Sequence, residues 1–200
     1  MSKFNDKTID SYNSHIDEYI KYTPKDVSRT AINWLRASLK NMPKNARILE
    51  IGSGIGHDAE YIEKLGFKVD RSDGSVGFVD ILRKKGHQAV VLNVLKDKIP
   101  NTYDLIIADS VLHHFTKSET KKATINIYNA MRENGRFAGA LRMGIDEGWS
   151  KEKLGAVRFF SYWDIESLEV AIKSAGFKEF IVTNSQAEDT VWVHFIATKS

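Results

Sequence analysis

The apolar positions of the chain fall into two periods. Around residues 8–22 the larger side chains Tyr12, His15, Ile16, Tyr19 and Ile20 share one helical face. A second helix over about 27–41 sets Ile32, Leu35 and Leu39 on one side and ends at Asn41-Met42-Pro43. After that, short β-runs alternate with helices. Strands are predicted at 47–51, 67–71, 89–92, 103–109 and 136–141, with helices near 57–65, 75–85 and 117–131 between them. The last of these helices opens on Thr116 and Glu119, at the spacing of a capping box. Strands and helices alternating at this length predict crossover units and a parallel sheet covered on both faces.

The C-terminal section reads differently. A helix over 164–175 turns Ile165, Leu168, Ala171, Ile172 and Ala175 inward and stops at Gly176. Two strands, 177–183 and 191–198, follow it, joined by a polar turn over 184–190. A link that short makes them an antiparallel hairpin. The expected architecture is one domain with a mostly parallel sheet and one reversed strand. The segment 142–162 has no clear periodicity and reads as a long loop, the kind that carries function in a compact domain.

Composition narrows the chemistry. The 200 residues suffice for one proper core, and 42% of them are hydrophobic, which excludes a disordered chain. There is no cysteine, so a disulfide framework, a thiolate metal site and a catalytic thiol are excluded. No metal site is expected. No apolar run reaches the ~20 residues of a membrane span, and the first residues lack the apolar core of a signal peptide. A cytoplasmic protein without membrane contact is the expectation. The net charge of +3 lies in residues 1–44, with 8 basic and 5 acidic side chains, whereas residues 45–200 carry 21 of each. Short basic clusters such as Arg83-Lys84-Lys85 read as solvated helix faces rather than a nucleic-acid track.

The chemistry concentrates at Glu50-Ile-Gly52-Ser53-Gly54-Ile-Gly56, where the first strand turns into the first crossover helix. Glycines at alternate positions let the backbone turn tightly and approach a ligand with its amides forward. Such loops lie at the carboxyl ends of the strands, where open α/β sheets bind ligands. The dinucleotide fingerprint needs a glycine at position 57, which is His57, so a dehydrogenase is disfavoured. The second strand ends on Asp73-Gly74-Ser75, and a carboxylate there can accept both hydroxyls of a ribose.

An acidic residue followed by G-x-G-x-G resembles the first motif of the class I S-adenosylmethionine (SAM)-dependent methyltransferases, and the small UbiE-like group in particular. The resemblance runs from about residue 46 to 198. It takes in Asp73, the fourth strand through Asp109 with His113 and His114 after it, Asn134-Gly135, and Ala175-Gly176-Phe177. Asn93 stands where relatives usually carry an acidic residue near adenine. The resemblance implies a Rossmann-like, mostly parallel seven-stranded sheet with helices on both faces and a C-terminal antiparallel hairpin. It implies residues 45–200 as the SAM-binding core and 1–44 as a helical cap. Glu50, Gly52, Ser53, Gly54, Gly56, Asp73, Gly74, Asn93, Val94 and Asp109 would hold the cofactor, with Tyr12 and Tyr19 closing over it.

A sulfonium methyl is already electrophilic, so the protein mainly positions a nucleophile and excludes water. His114 and His113 are the candidate general bases. The aperiodic segment supplies the candidate substrate contacts: Arg142 and Arg158 as anion anchors, with Trp149 and Tyr162. A small-molecule acceptor is the leading expectation. A nucleic-acid or protein methyltransferase and a non-catalytic SAM-binding protein are the alternatives.

Overall fold

A computed structural model of the chain describes residues 3–187 and 190–200. Seven strands form the main sheet: β1 (Ile48–Ile51), β2 (Val69–Asp73), β3 (Ala89–Val91), β4 (Tyr103–Asp109), β5 (Met131–Arg142), β8 (Glu179–Ala187) and β9 (Thr190–Thr198). Their order is β3-β2-β1-β4-β5-β9-β8. β1 to β5 pair in parallel, and only β9 runs antiparallel to its neighbours β5 and β8. The reversed strand sits where the hairpin reading put it. Both hairpin strands extend past the predicted 177–183 and 191–198, and part of the predicted turn lies outside the described residues.

The alternation of β-strand side chains explains the two covered faces. On β4, Ile106 and Ala108 join Leu49, Phe137 and Leu141 in one core. That core is closed by Ile127 of α6 (Lys117–Asn129) and Ile172 of α7 (Ile165–Lys173). Leu105 and Ile107 point the other way, into a core with Trp34 and Leu35 of α3 (Arg29–Ser38) and Ile62 of α4 (His57–Lys64). α5 (Val76–Lys84) packs Val79 and Leu82 on Ala89 of β3. The Thr116–Glu119 capping box forms as the spacing predicts.

Two expectations change. The N-terminal helix is broken into α1 (Lys3–Ser14) and α2 (Ile16–Tyr22). At the break, Ser14 donates to the Asp10 carbonyl and His15 Nδ1 pairs with the Ser11 carbonyl, so side chains compete with the helical ladder. The segment 142–162 is not structureless. It contains a two-stranded antiparallel sheet, β6 (Glu147–Ser150) with β7 (Arg158–Ser161), in which Trp149 faces Phe159.

Candidate active site

Four loops at the carboxyl ends of β1 to β4 build the site from below. Gly52 has φ +72°, and a Cβ there would lie 2.3 Å from Val111, so only glycine lets the loop after β4 come this close. Gly54, at φ +51°, donates its amide to Asp73 Oδ2 at 2.9 Å. Asp73 Oδ1 accepts the Ser75 amide at 2.8 Å, at the N-cap of α5. The carboxylate that ends β2 is thus aimed by two backbone donors. Burial pushes its pKa up to about 6, with those two hydrogen bonds pulling the other way.

β3 is followed by Asn93, whose Oδ1 accepts the Leu95 amide at 3.1 Å and whose Nδ2 donates to Asn5 at 2.7 Å. β4 ends on Asp109, which accepts a hydrogen bond from Ser110 Oγ at 2.8 Å. Ser110 itself has φ +58°, a left-handed conformation rare outside glycine and frequent at ligand sites. Asp58, in the first turn of α4, has its carboxyl held well above the usual range by burial and then by Asp109 and Glu50. Burial likewise raises Glu50.

α1 covers this floor. Its Thr8 hydroxyl accepts the Phe159 amide at 3.0 Å, and its Ser11 hydroxyl donates to the Val157 carbonyl at 2.6 Å. On the opposite side Asn13 Oδ1 accepts from the Ser75 hydroxyl at 2.6 Å. Tyr12 points inward, and its hydroxyl lies 2.8 Å from His114 Nε2 and accepts from Arg158 at 3.0 Å. His114 Nδ1 lies 2.8 Å from the Phe159 carbonyl. A carbonyl only accepts, so His114 carries its proton on Nδ1 and Nε2 accepts from Tyr12. Burial lowers the pKa of His114 to about 3, helped by Arg158 and Arg142. Its neighbour His113 is also lowered, first by burial and then by His114.

These groups enclose a cavity of about 230 Å³. Of the residues singled out in the sequence, Tyr12, Tyr19, Gly52, Gly54, Asp73, Gly74, Asn93, Val94, Asp109, His113, His114, Arg142 and Arg158 line it. Glu50, at the end of β1, and Ser53 and Gly56, within the glycine loop, do not line it: Glu50 is 4% exposed, and Gly56 is the left-handed N-cap of α4. Trp149 stacks on Phe4 at 5.6 Å and Tyr162 packs on Gly144, both off the cavity. Sequence reading missed Thr8, Phe78, Lys153 and Trp192 among the lining residues, whereas Phe160 lies on the aperiodic segment expected to meet the substrate. Trp192 had no local signal, since its pairing with Arg142 across β5 and β9 brings it there.

The strand order, the reversed last strand and a glycine loop facing a buried carboxylate at the end of β2 make a Rossmann-like fold with a ligand site at the carboxyl ends of its strands. Residues 49–137 match the family model of a methyltransferase domain. Over those residues the chain carries a methyltransferase-domain pattern, and its fold is that of the solved Rossmann-like methyltransferases. Solved structures agree over nearly its whole length. Magnesium protoporphyrin IX methyltransferase of Synechocystis PCC 6803, with bound SAM, matches at TM-score 0.79 and 14% identity, covering 100% of this chain and 99% of that one. Phosphoethanolamine N-methyltransferase 2 of Haemonchus contortus, in complex with S-adenosyl-L-methionine, matches at 0.77 and 16%, covering 100% of this chain. The present chain spans 60% of that protein's chain. The 1,6-didemethyltoxoflavin-N1-methyltransferase of Burkholderia thailandensis, with S-adenosylhomocysteine, matches at 0.75 and 18%, over 96% and 86%. No curated protein matches the sequence.

Proposed function

We propose that this protein transfers the sulfonium methyl of SAM to a nucleophilic atom of a small organic molecule. The observation that carries the reading is the paired placement of Gly54 and Asp73, a backbone donor and a buried acceptor at the carboxyl ends of β1 and β2. The residues fit a nucleoside bearing an amino-acid tail. Asp73 has lone pairs left for ribose hydroxyls, Asn93 and Val94 flank the adenine position, and Asp109 with the glycine loop suits the tail's ammonium. Glu50, Ser53, Gly56 and Gly74 shape that loop, and Tyr12 and Tyr19 close it from above. Bound SAM supplies the electrophilic methyl.

The chain's own work is positioning, exclusion of water and proton removal. α1 covers the cavity, which favours a small acceptor over a polymer. Where the acceptor loses a proton, the Tyr12 hydroxyl takes it while passing its own to His114 Nε2. His113 lies against His114, with ring centroids 4.5 Å apart. Arg142 and Arg158 face the acceptor, with Trp149 and Tyr162 on the segment that frames it. Residues 1–44 serve as the cap of a single domain whose core is 45–200. Among the described residues no helix is long and apolar enough to cross a membrane, and a cytoplasmic location is part of the proposal.

Calorimetric titration with S-adenosylhomocysteine, SAM and NAD tests the cofactor. Micromolar binding of the first two and none of NAD is expected; binding of NAD alone overturns the reading. Transfer of labelled methyl from SAM into a cell extract fractionated by size then tests the acceptor. Label in the small-molecule fraction is expected, and label confined to RNA or protein overturns that part.

A further inference from the structure

We infer that the acceptor carries an anionic group, a carboxylate or a phosphate, held by Arg142, Arg158 and Lys153; this rests on the methyl-transfer reading above. The three cationic side chains line one wall of the cavity. Arg142 closes β5, Arg158 opens β7, and Lys153 lies between β6 and β7. Both guanidiniums lie against the Phe160 ring, 5.2 and 5.0 Å from its centroid, and Lys153 Nζ is 4.5 Å from the centroid of Tyr19.

The protein's own acceptors do not complete this wall. Arg142 pairs with Glu152 at 2.8 Å, but that carboxylate is 61% exposed and so reaches the cluster from the solvent side. Arg158, only 4% exposed, donates its terminal nitrogens to neutral oxygens, the Tyr12 hydroxyl and the Glu152 carbonyl. Lys153 donates to the Thr23 hydroxyl at 3.0 Å. Six buried side-chain polar atoms have no hydrogen-bond partner among the described residues, and three of them belong to this cavity: Arg142 Nε, Arg158 Nε and His113 Nδ1.

Gathered like charges with unmet donors are unfavourable unless an anion completes them. Two guanidinium forks match the geometry of a carboxylate or phosphate, and an ammonium adds a point charge. Lys153 also has φ +66°, a left-handed conformation for a branched-free but bulky residue, as found where a side chain is held for a ligand. Burial, then Arg158 and Arg142, hold its ammonium below the usual pKa. Asp73 and Asp109 line the same cavity, and each has hydrogen-bond donors of the protein beside it, the Gly54 and Ser75 amides on Asp73 and the Ser110 hydroxyl on Asp109. An anion on the basic wall would also screen the arginines from His114 and raise its affinity for a proton when acceptor is bound.

The cofactor's own carboxylate is the competing anion, and the test separates the two. Inorganic phosphate is titrated into the full chain at constant ionic strength, with chloride as control, in the presence and absence of saturating S-adenosylhomocysteine. The expected result is saturable, phosphate-specific binding that persists with the nucleoside bound. Arg142→Gln, Arg158→Gln and Lys153→Gln should each weaken it at least ~10-fold while nucleoside affinity stays within about threefold. If Arg158→Gln does not fold, Lys153→Gln carries the test from a partly exposed position. Phosphate that binds no better than chloride to the nucleoside-saturated protein overturns the inference. So does phosphate displaced by the nucleoside, with variants losing both affinities in parallel, which assigns the wall to the cofactor. Failure of S-adenosylhomocysteine to bind at all overturns the methyl-transfer reading and the acceptor assignment with it. Nucleoside binding without phosphate binding overturns only this inference.

Discussion

Asp73 meets opposite demands with and without ligand. Its pKa in the folded chain is about 6, above the ordinary 3.8, so the native state holds an extra proton between those values. Its contribution to stability is therefore full at low pH and is lost as pH rises through about 6. Ligand binding runs the other way, because only the ionised carboxylate accepts hydrogen bonds at both oxygens. The affinity for S-adenosylhomocysteine should rise about 10-fold from pH 5 to pH 7.5, following the ionised fraction of a group with pKa near 6. Asp73→Asn should bind more weakly and lose most of that dependence, both measured by calorimetry. Tyr12 makes a separate prediction. Tyr12→Phe keeps the ring against Phe78 and His114 but removes the hydroxyl between Arg158 and His114. We expect kcat to fall ~100-fold, within the range of a lost acid–base group, with cofactor KM changed only a few-fold in steady-state assays.

The elements differ in how openly they announce themselves. α6 is written twice in the sequence, by its buried Thr120, Ala123, Thr124 and Ile127 and by the reciprocal bonds of Thr116 and Glu119. Thr116→Ala should cost ~1 kcal/mol in denaturant unfolding and leave nucleoside affinity unchanged. β4 was legible to the residue because both its faces are buried. β2 was placed two residues early, since Ser72 and Asp73 are polar yet buried at its end. β6 and β7 were not legible: their pairing joins Trp149 to Phe159 across nine residues, and neither strand has enough residues for a period to emerge. The same limit applies to the site. The glycine loop, Asp73 and Asp109 are local features of strand ends. Trp192, Lys153 and Asp58 arrive through β9 pairing, an irregular turn and a helix start, and no short-range pattern marks them.

Across the whole molecule, a chain of net charge +3 brings both signs into one cavity, Asp73 and Asp109 together with Arg142, Lys153 and Arg158. Two buried sets titrate against each other. His113, His114 and His194 are held below the ordinary histidine value, so their contribution is full above about pH 6.5 and is lost as pH falls. Glu50, Asp58 and Asp73 are held high, so theirs is full at low pH and is lost as pH rises. These slopes oppose one another between about pH 4.5 and 6.5, and His113→Asn should tilt the balance. Relative to wild type, the variant's unfolding temperature at pH 5 should gain on its value at pH 6.5 in scanning calorimetry. α1 carries a different kind of consequence. Thr8 and Ser11 tie it to the β7 side and Asn13 ties it to α5, so α1 bridges two rims of the cavity and must break bonds on one of them to swing clear. We expect ligand entry to be timed by that release rather than by diffusion alone. Hydrogen exchange should find the α1 amides slowed by S-adenosylhomocysteine while those of β1 and β4 are unaffected. A doubling of ligand concentration past saturation of the open state should leave the binding rate unchanged.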